Sequence, residues 1–298
     1  MMTVRALIKR NVKLFFKDKG MFFTALITPV ILLVLYATFL GNVYRDSFLS
    51  GLPAGIPVTD KAVDALVGGQ LISSLLAVSC VTVAFCSNFL MVQDKTTGAG
   101  NDFRISPVKP ALLSVSYYVA TLLSTLIICL SATVLCLGYV AVIGWYMSLT
   151  DVLLLLLDVV LLVLFGTALS SVINFFLTSQ GQISAVGTVV SSGYGFICGA
   201  YMPIYTFAEG LRHVLSFLPG TYATSLMRTH AMRGALSEIE SQGIPASAMD
   251  KMRDILDCNL YFFDDLVPTG AKYTVLAGTI LLLIGAYILL NILKKAEK

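Results

Sequence analysis

The sequence predicts an all-α integral membrane fold. It should hold six transmembrane helices, an N-terminal amphipathic helix in the interface, and an outer re-entrant helical segment. Apolar runs of about 20 residues, the length that crosses a hydrocarbon core of about 30 Å, recur six times between Phe22 and Leu293. Hydrophobic residues fill 57% of the 298 positions and charged residues only 12%, against about 25% charged in an average soluble domain. The mean hydropathy is +0.86, which leaves little room for a soluble core.

Charge placement sets the expected topology. The first 20 residues carry Arg5, Lys9, Arg10, Lys13, Lys17 and Lys19 against Asp18 alone, whereas residues 203–270 carry five basic and eight acidic side chains. Lys and Arg concentrate in short cytoplasmic segments, so the N-terminus is expected inside. Six spans return Lys294, Lys295 and Lys298 to the same side. The long basic start and long first apolar run do not read as a cleavable leader.

Residues 3–19 place Val4, Leu7, Ile8, Val12 and Phe15 on one helical face and Arg5, Lys9, Lys13 and Lys17 on the other. A basic amphipathic helix beside a membrane lies in the interface with its cations towards anionic head groups; it can equally serve as a topology signal alone. The spans are expected at 22–41, 66–92, 111–138, 151–177, 181–202 and 272–293. Pro29 is expected to kink the first, which neighbouring helices can accommodate. An outer loop covers 42–65, a cytoplasmic loop 93–110, an outer turn Gly144–Thr150 and an inner turn Thr178–Gly181. Between Pro203 and Met227 the chain stays apolar but is broken by Pro203, Pro219 and Gly220. That pattern suits a re-entrant pair of short helices covered by protein. Residues 234–267 read as a small outer subdomain, and the whole chain as one transmembrane domain.

Several function classes lack their residues. No Gly-x-x-x-x-Gly-Lys-Ser/Thr loop occurs, so the chain cannot cradle nucleotide phosphates in the P-loop manner. The two histidines, His213 and His230, have no Cys, Ser or carboxylate at workable spacing and read as structural. There is no His-Glu-x-x-His metal motif. Five of the six cysteines lie in predicted spans, and Cys258 alone lies in a polar loop, which gives neither a disulfide framework nor a metal site. The basic residues are juxtamembrane, so no nucleic-acid partner is expected.

Asp158 is the one clear charge inside a span. Intramembrane carboxylates are costly and face a bundle interior or water. It either hydrogen-bonds a neighbouring helix or serves a substrate or proton. Small residues form two stripes. Gly187, Ser191, Gly195 and Gly199 recur every fourth residue, and Ser73, Ala77, Cys80, Ala84 and Ser87 alternate steps of four and three. Such stripes let helices approach closely. They are packing seams within one bundle, or a seam between two copies and the wall of a path.

The cytoplasmic loop is the most specific feature: Gln93-Asp94-Lys95-Thr96-Thr97-Gly98-Ala99-Gly100, then Asn101-Asp102-Phe103-Arg104-Ile105-Ser106-Pro107-Val108. An acidic–basic pair, a Gly three residues after the Lys, and Pro-Val before the next span resemble the ABC-2 type (type V exporter-like) permeases. Asp94 stands where that family usually has Glu, and Ala99 where it has Thr. The basic start with Phe22-Phe23…Pro29 resembles the family's connecting helix and first span. Met202-Pro203-Ile204, Leu211-Arg212, Leu218-Pro219-Gly220-Thr221-Tyr222 and Met227-Arg228 resemble its outer re-entrant segment.

The resemblance implies a permease subunit of an ATP-driven exporter that moves an amphipathic or lipid-like substrate. It implies partnership with separate ABC ATPase subunits and with a second copy or similar permease. The chain itself would bind no cofactor, ATP and magnesium being held by the partner, and would sit multi-pass in the plasma membrane among its lipids. Asp94, Lys95, Gly98, Gly100, Arg104 and Pro107 would form the ATPase-coupling interface. Pro29, Ser73, Cys80, Ser87, Gly187, Ser191, Gly195 and Gly199 would line the path or dimer seam. An ion-gradient carrier or lipid enzyme would need more clustered polar groups; a non-transporting membrane scaffold is the remaining alternative.

Overall fold

A computed structural model describes residues 2–51, 58–99 and 110–296. The helices are α1 (Met2–Lys17), α2 (Lys19–Leu35), α3 (Gly41–Gly51), α4 (Asp60–Thr96), α5 (Pro110–Ile143), α6 (Leu149–Phe176), α7 (Gln180–Ile197), α8 (Glu209–Leu215), α9 (Pro219–Ser241), α10 (Ala246–Ile255) and α11 (Thr269–Ala296). A π-helical turn, Tyr36–Leu40, joins α2 to α3, and a two-stranded antiparallel hairpin, β1 (Tyr261–Phe262) with β2 (Asp265–Leu266), precedes α11.

Five helical stretches among the described residues are long and apolar enough to cross a membrane: Lys19–Asp46, Asp60–Thr96, Ala111–Ile143, Leu149–Phe176 and Thr269–Leu293. The expected fifth span is not one of them. α7 has 18 residues, about 27 Å at 1.5 Å per residue, and Gln180, Gln182, three serines and four glycines dilute its apolar character. Its end is set by Gly199, which adopts φ +76, the left-handed conformation glycine takes where a helix stops. A six-span count is therefore not reached by length and hydropathy alone.

The outer loop expected at 42–65 is largely helical, because α3 reaches Gly51 and α4 begins at Asp60. Arg45 of α3 forms ion pairs with Asp60 and Asp64 on α4, tying the two together. The re-entrant pair expected to end near Met227 is also different. After the 3-10 turn Ile204–Thr206 and short α8, α9 runs unbroken for 23 residues past the expected subdomain start at 234. Pro219, which reads as a breaker in sequence, occupies the first turn of α9, where its missing N–H costs nothing.

α4 is the axis. Its 37 residues span about 55 Å, and 94% of its most apolar window is buried within the chain, against 17% for α11. α2, α5, α6, α7 and α9 all pack on it. Gly166 of α6 permits one of these approaches, since a Cβ there would meet Cys80 O at 3.0 Å and Val81 Cα at 3.1 Å. α1 lays Leu7, Asn11 and Phe15 against the bundle, chiefly on α5, and leaves Arg5, Lys9, Lys13 and Lys17 exposed. Capping boxes at Ser148/Asp151 and Ser179/Gln182 start α6 and α7.

Candidate functional site

Two buried polar nodes lie along the α4 axis. The first lies where α4 stops. Arg10 of α1 grips Asp94 with both guanidinium nitrogens, at 2.7 and 3.1 Å. The Tyr117 hydroxyl of α5 donates to the same carboxylate. Three helices distant in sequence thus converge on one nearly buried charge. Paired, hydrogen-bonded charges of this kind are stronger than neutral contacts. Arg10 also donates to Asn11 Oδ1 at 2.9 Å.

The neighbouring Lys95 turns the other way. Its Nζ donates to the carbonyls of Asn174, Phe175 and Leu177 at 3.1, 3.1 and 3.2 Å. These belong to the last turn of α6 and the residue after it, where carbonyls lose their full helical bonding, Asn174 O accepting from the backbone only at Leu177 N, 3.3 Å away, and form the negative end of the helix dipole. Gln180 Nε2 at the start of α7 donates to Thr96 Oγ1 at 3.2 Å. Gly98 follows with φ +84, so α4 ends in the left-handed turn glycine favours. Within three residues, then, α4 is joined to α1, α5, α6 and α7. Gly100, Arg104 and Pro107 lie outside the described residues.

The second node lies beside the middle of α4, where Val159 O of α6 faces Cys80 at 3.9 Å and Ala231 of α9 faces Gly69. Asp158 of α6, lone in its span, is bound by His230 Nδ1 of α9 at 2.6 Å and by the Tyr273 hydroxyl of α11 at 2.7 Å. Two positions earlier on α9, fully buried Arg228 reaches Asp257 Oδ2 at 2.6 Å and also donates to the Gly199 carbonyl. Asp257 follows α10 at φ 52, a conformation Asp tolerates better than most residues. There it accepts from the amides of Ile204 and Tyr205 at 2.6 and 3.0 Å. Burial holds the Asp257 carboxyl above the usual range, an effect that Arg228 and these two amides offset only in part. Lys272 of α11 donates to Ser225 Oγ at 2.9 Å and to Cys258 O at 2.8 Å. Cys258, expected in a polar loop, is buried, and burial pushes its thiol up to about 12, far from thiolate reactivity.

The small-residue stripes find their occupants within the chain. Ser73, Cys80 and Ser87 are buried in α4. Ser73 donates to Gln70 O at 3.0 Å, and Cys80 faces Val159 O and Gly166 of α6. A path along this face would require α6 to move away. On α7, Gly187 faces the Phe89 ring, but Gly195 is covered by the fold-back Tyr201 ring and Gly199 by Ile204. Tyr201 Oη donates to Ser191 O at 3.1 Å. The stripe therefore receives its own following turn over much of its length. Pro29 is buried inside α2, which continues to Leu35.

Sequence reading marked Asp94, Lys95, Gly98 and Asp158 but missed their partners: Arg10, Tyr117, the α6 carbonyls, His230 and Tyr273. Arg228 was marked only within the family-like segment, without its partner, and Asp257 and Lys272 were missed entirely. Among the described residues, no group of three His, Cys, Asp or Glu side chains could hold a metal ion. What the two nodes can do is transmit force between helices and hold charge inside an apolar bundle.

The sequence profile of the family described as ABC-2 type transporter matches residues 2–231 of the chain. No curated protein matches it.

Proposed function

This chain belongs to the ABC-2 type transporter family, as a multi-pass membrane protein with a permease domain, and from that premise we propose that it is the permease subunit of an ATP-driven exporter. ATP and magnesium would be bound by separate ABC ATPase subunits on the cytoplasmic side, the side of both termini. A second copy, or a similar permease, would complete the transporter in the plasma membrane. The substrate class that fits the scarcity of intramembrane charge is amphipathic or lipid-like.

The observation that carries this reading is the joint at Asp94. A permease driven from outside needs an element that a partner can push and a rigid link from it to the spans. α1 exposes four cations, and Arg10 locks it to α4 in a bidentate pair. The expected 93–110 loop has its first four residues in α4, and its remainder follows at once, with Gly98, Gly100, Arg104 and Pro107 as the proposed contact. Rocking of α1 and this segment would pass to α4 through Asp94 and to α6 through Lys95, an interface movement of the kind packed helices undergo as rigid bodies. α2 and α7 flank α4 and keep apolar outer faces, including Phe23, Ile27, Val189 and Phe196, available to the second copy and the path.

The test is co-purification with a P-loop ATPase followed by reconstitution. ATPase activity stimulated by the permease is expected, with Gly98→Pro and Arg104→Glu breaking the link between hydrolysis and transport while leaving membrane insertion intact. Uphill transport by the chain alone in vesicles would overturn the reading. If transport without ATPase also vanished in Asp158→Asn, an ion-gradient carrier would replace it.

A further inference from the structure

The end of the bundle away from α1 holds a cavity of about 300 Å³ that the transport reading does not use. Arg233 of α9, Arg253 of α10 and Lys272 of α11 all line it, with Thr229, Ser237 and Asn259 adding hydroxyl and amide groups, and no carboxylate lines it. Arg233 is paired with Asp151 at 3.2 Å, and Arg253 with Glu240 at 3.1 Å and Asp250 at 3.2 Å. Those acids stand outside the lining, so the cavity itself presents cations and neutral polar groups.

Lys272 is the group that calls for a ligand. It is 3% exposed, and its bonds go to the neutral oxygens of Ser225 and Cys258. Among the described residues it forms no salt bridge; nearby Asp257 is already held by Arg228 and two amides. A buried charge without a counter-ion is costly. Lys272 also sits in the first turn of the 28-residue α11, where the helix dipole is positive and disfavours a cation but favours an anion. Two unfavourable terms for Lys272 become favourable together once an anion enters.

We propose that this cavity binds a phosphate-bearing anion, with Lys272 at its buried end and Arg233 and Arg253 closing on it from the rim. α11 turns apolar from Val275 onward, so the cavity lies where a membrane span begins, at the depth of phospholipid head groups. Phe262 and Phe263, on the hairpin between the lining residues Asn259 and Leu266, interlock with Phe217, the ring centroids 5.1 to 6.1 Å apart, and all three are exposed. Tyr261 of the same hairpin is exposed too, and tyrosine and tryptophan, whose rings carry a polar tip, gather at that level of a bilayer. The phosphate can therefore come from a lipid head group or from solution.

The experiment uses the full-length protein in nanodiscs and reads the thermal unfolding midpoint. One arm titrates inorganic phosphate into phosphatidylcholine discs; the other replaces part of that lipid with phosphatidylglycerol. A rise of a few degrees in the second arm alone assigns a lipid head group, and a rise in the first assigns a soluble phosphate. In either case Arg233→Gln with Arg253→Gln should weaken the half-saturating concentration about tenfold or more, as loss of charge-assisted bonds does. Lys272→Gln should do the same if it folds; the two rim arginines, both partly exposed, keep the test open if it does not. No rise in either arm, or an equal rise in the double variant, overturns the proposal.

Discussion

Arg228 shows how a single side chain holds the second node together. It is fully buried, and the segments it joins arrive from three places in the sequence: Gly199 after α7, its own α9, and Asp257 after α10. An ordinary hydrogen bond contributes about 1 kcal/mol net, but removing one partner of a buried ion pair strands the other charge and costs about 3–5 kcal/mol. Arg228→Met is therefore expected to destabilise the folded protein by about 3–5 kcal/mol. Arg228→Met combined with Asp257→Asn should recover part of that loss, because the stranded carboxylate is gone. Thermal or denaturant unfolding in detergent measures both. Equal stability of the single and double variants would show that Asp257 is not left uncompensated. Nothing in the sequence announces this pair: 29 residues separate its members, and Asp257 sits in a stretch that reads as a polar connector.

Elements were legible in proportion to how local their cause is. α5, α6 and α11 appear near their expected places because a run of apolar residues needs no partner to declare itself. α9 did not, because Pro219 looks the same in sequence whether it breaks a helix or begins one; what decides is the packing of α9 on α4, α6 and α11. α3 was hidden for the same reason, its helix being tied to α4 through Arg45. The small residues of α4 were visible as a stripe, yet only the fold shows that α6 fills it. That contact gives a prediction at its own scale. Gly166→Val would drive a side chain into the Cys80 carbonyl and Val81 backbone at about 3 Å, and overpacking of this kind costs about 1–3 kcal/mol. Backbone cannot retreat as a flexible side chain can, so the upper part of that range is expected, with faster hydrogen exchange along both α4 and α6. Exchange unchanged outside residue 166's own turn would mean the two helices separate without cost.

Across the whole molecule the two nodes divide the labour: the Arg228 node fixes the segments after α7 and α10 to α9, and the Asp94 node ties α1 and α5 to α4. The loop chemistry at Asp94 and Lys95 could be read directly, but Arg10 lies 84 residues from Asp94, and no local pattern pairs them. If that joint is a lever rather than a brace, breaking it should separate motion from fuel consumption. Arg10→Gln is expected to leave a folded, inserted protein, since Arg10 is partly exposed and Tyr117 still donates to Asp94. Asp94→Asn should behave alike, and the double variant should be little worse than either, as expected when two residues act through one contact. In the reconstituted complex each single variant should lower cargo moved per ATP hydrolysed several-fold while hydrolysis itself continues. Additive losses, or hydrolysis and transport falling together, would make the pair a structural support and return the coupling role to the 100–109 segment alone.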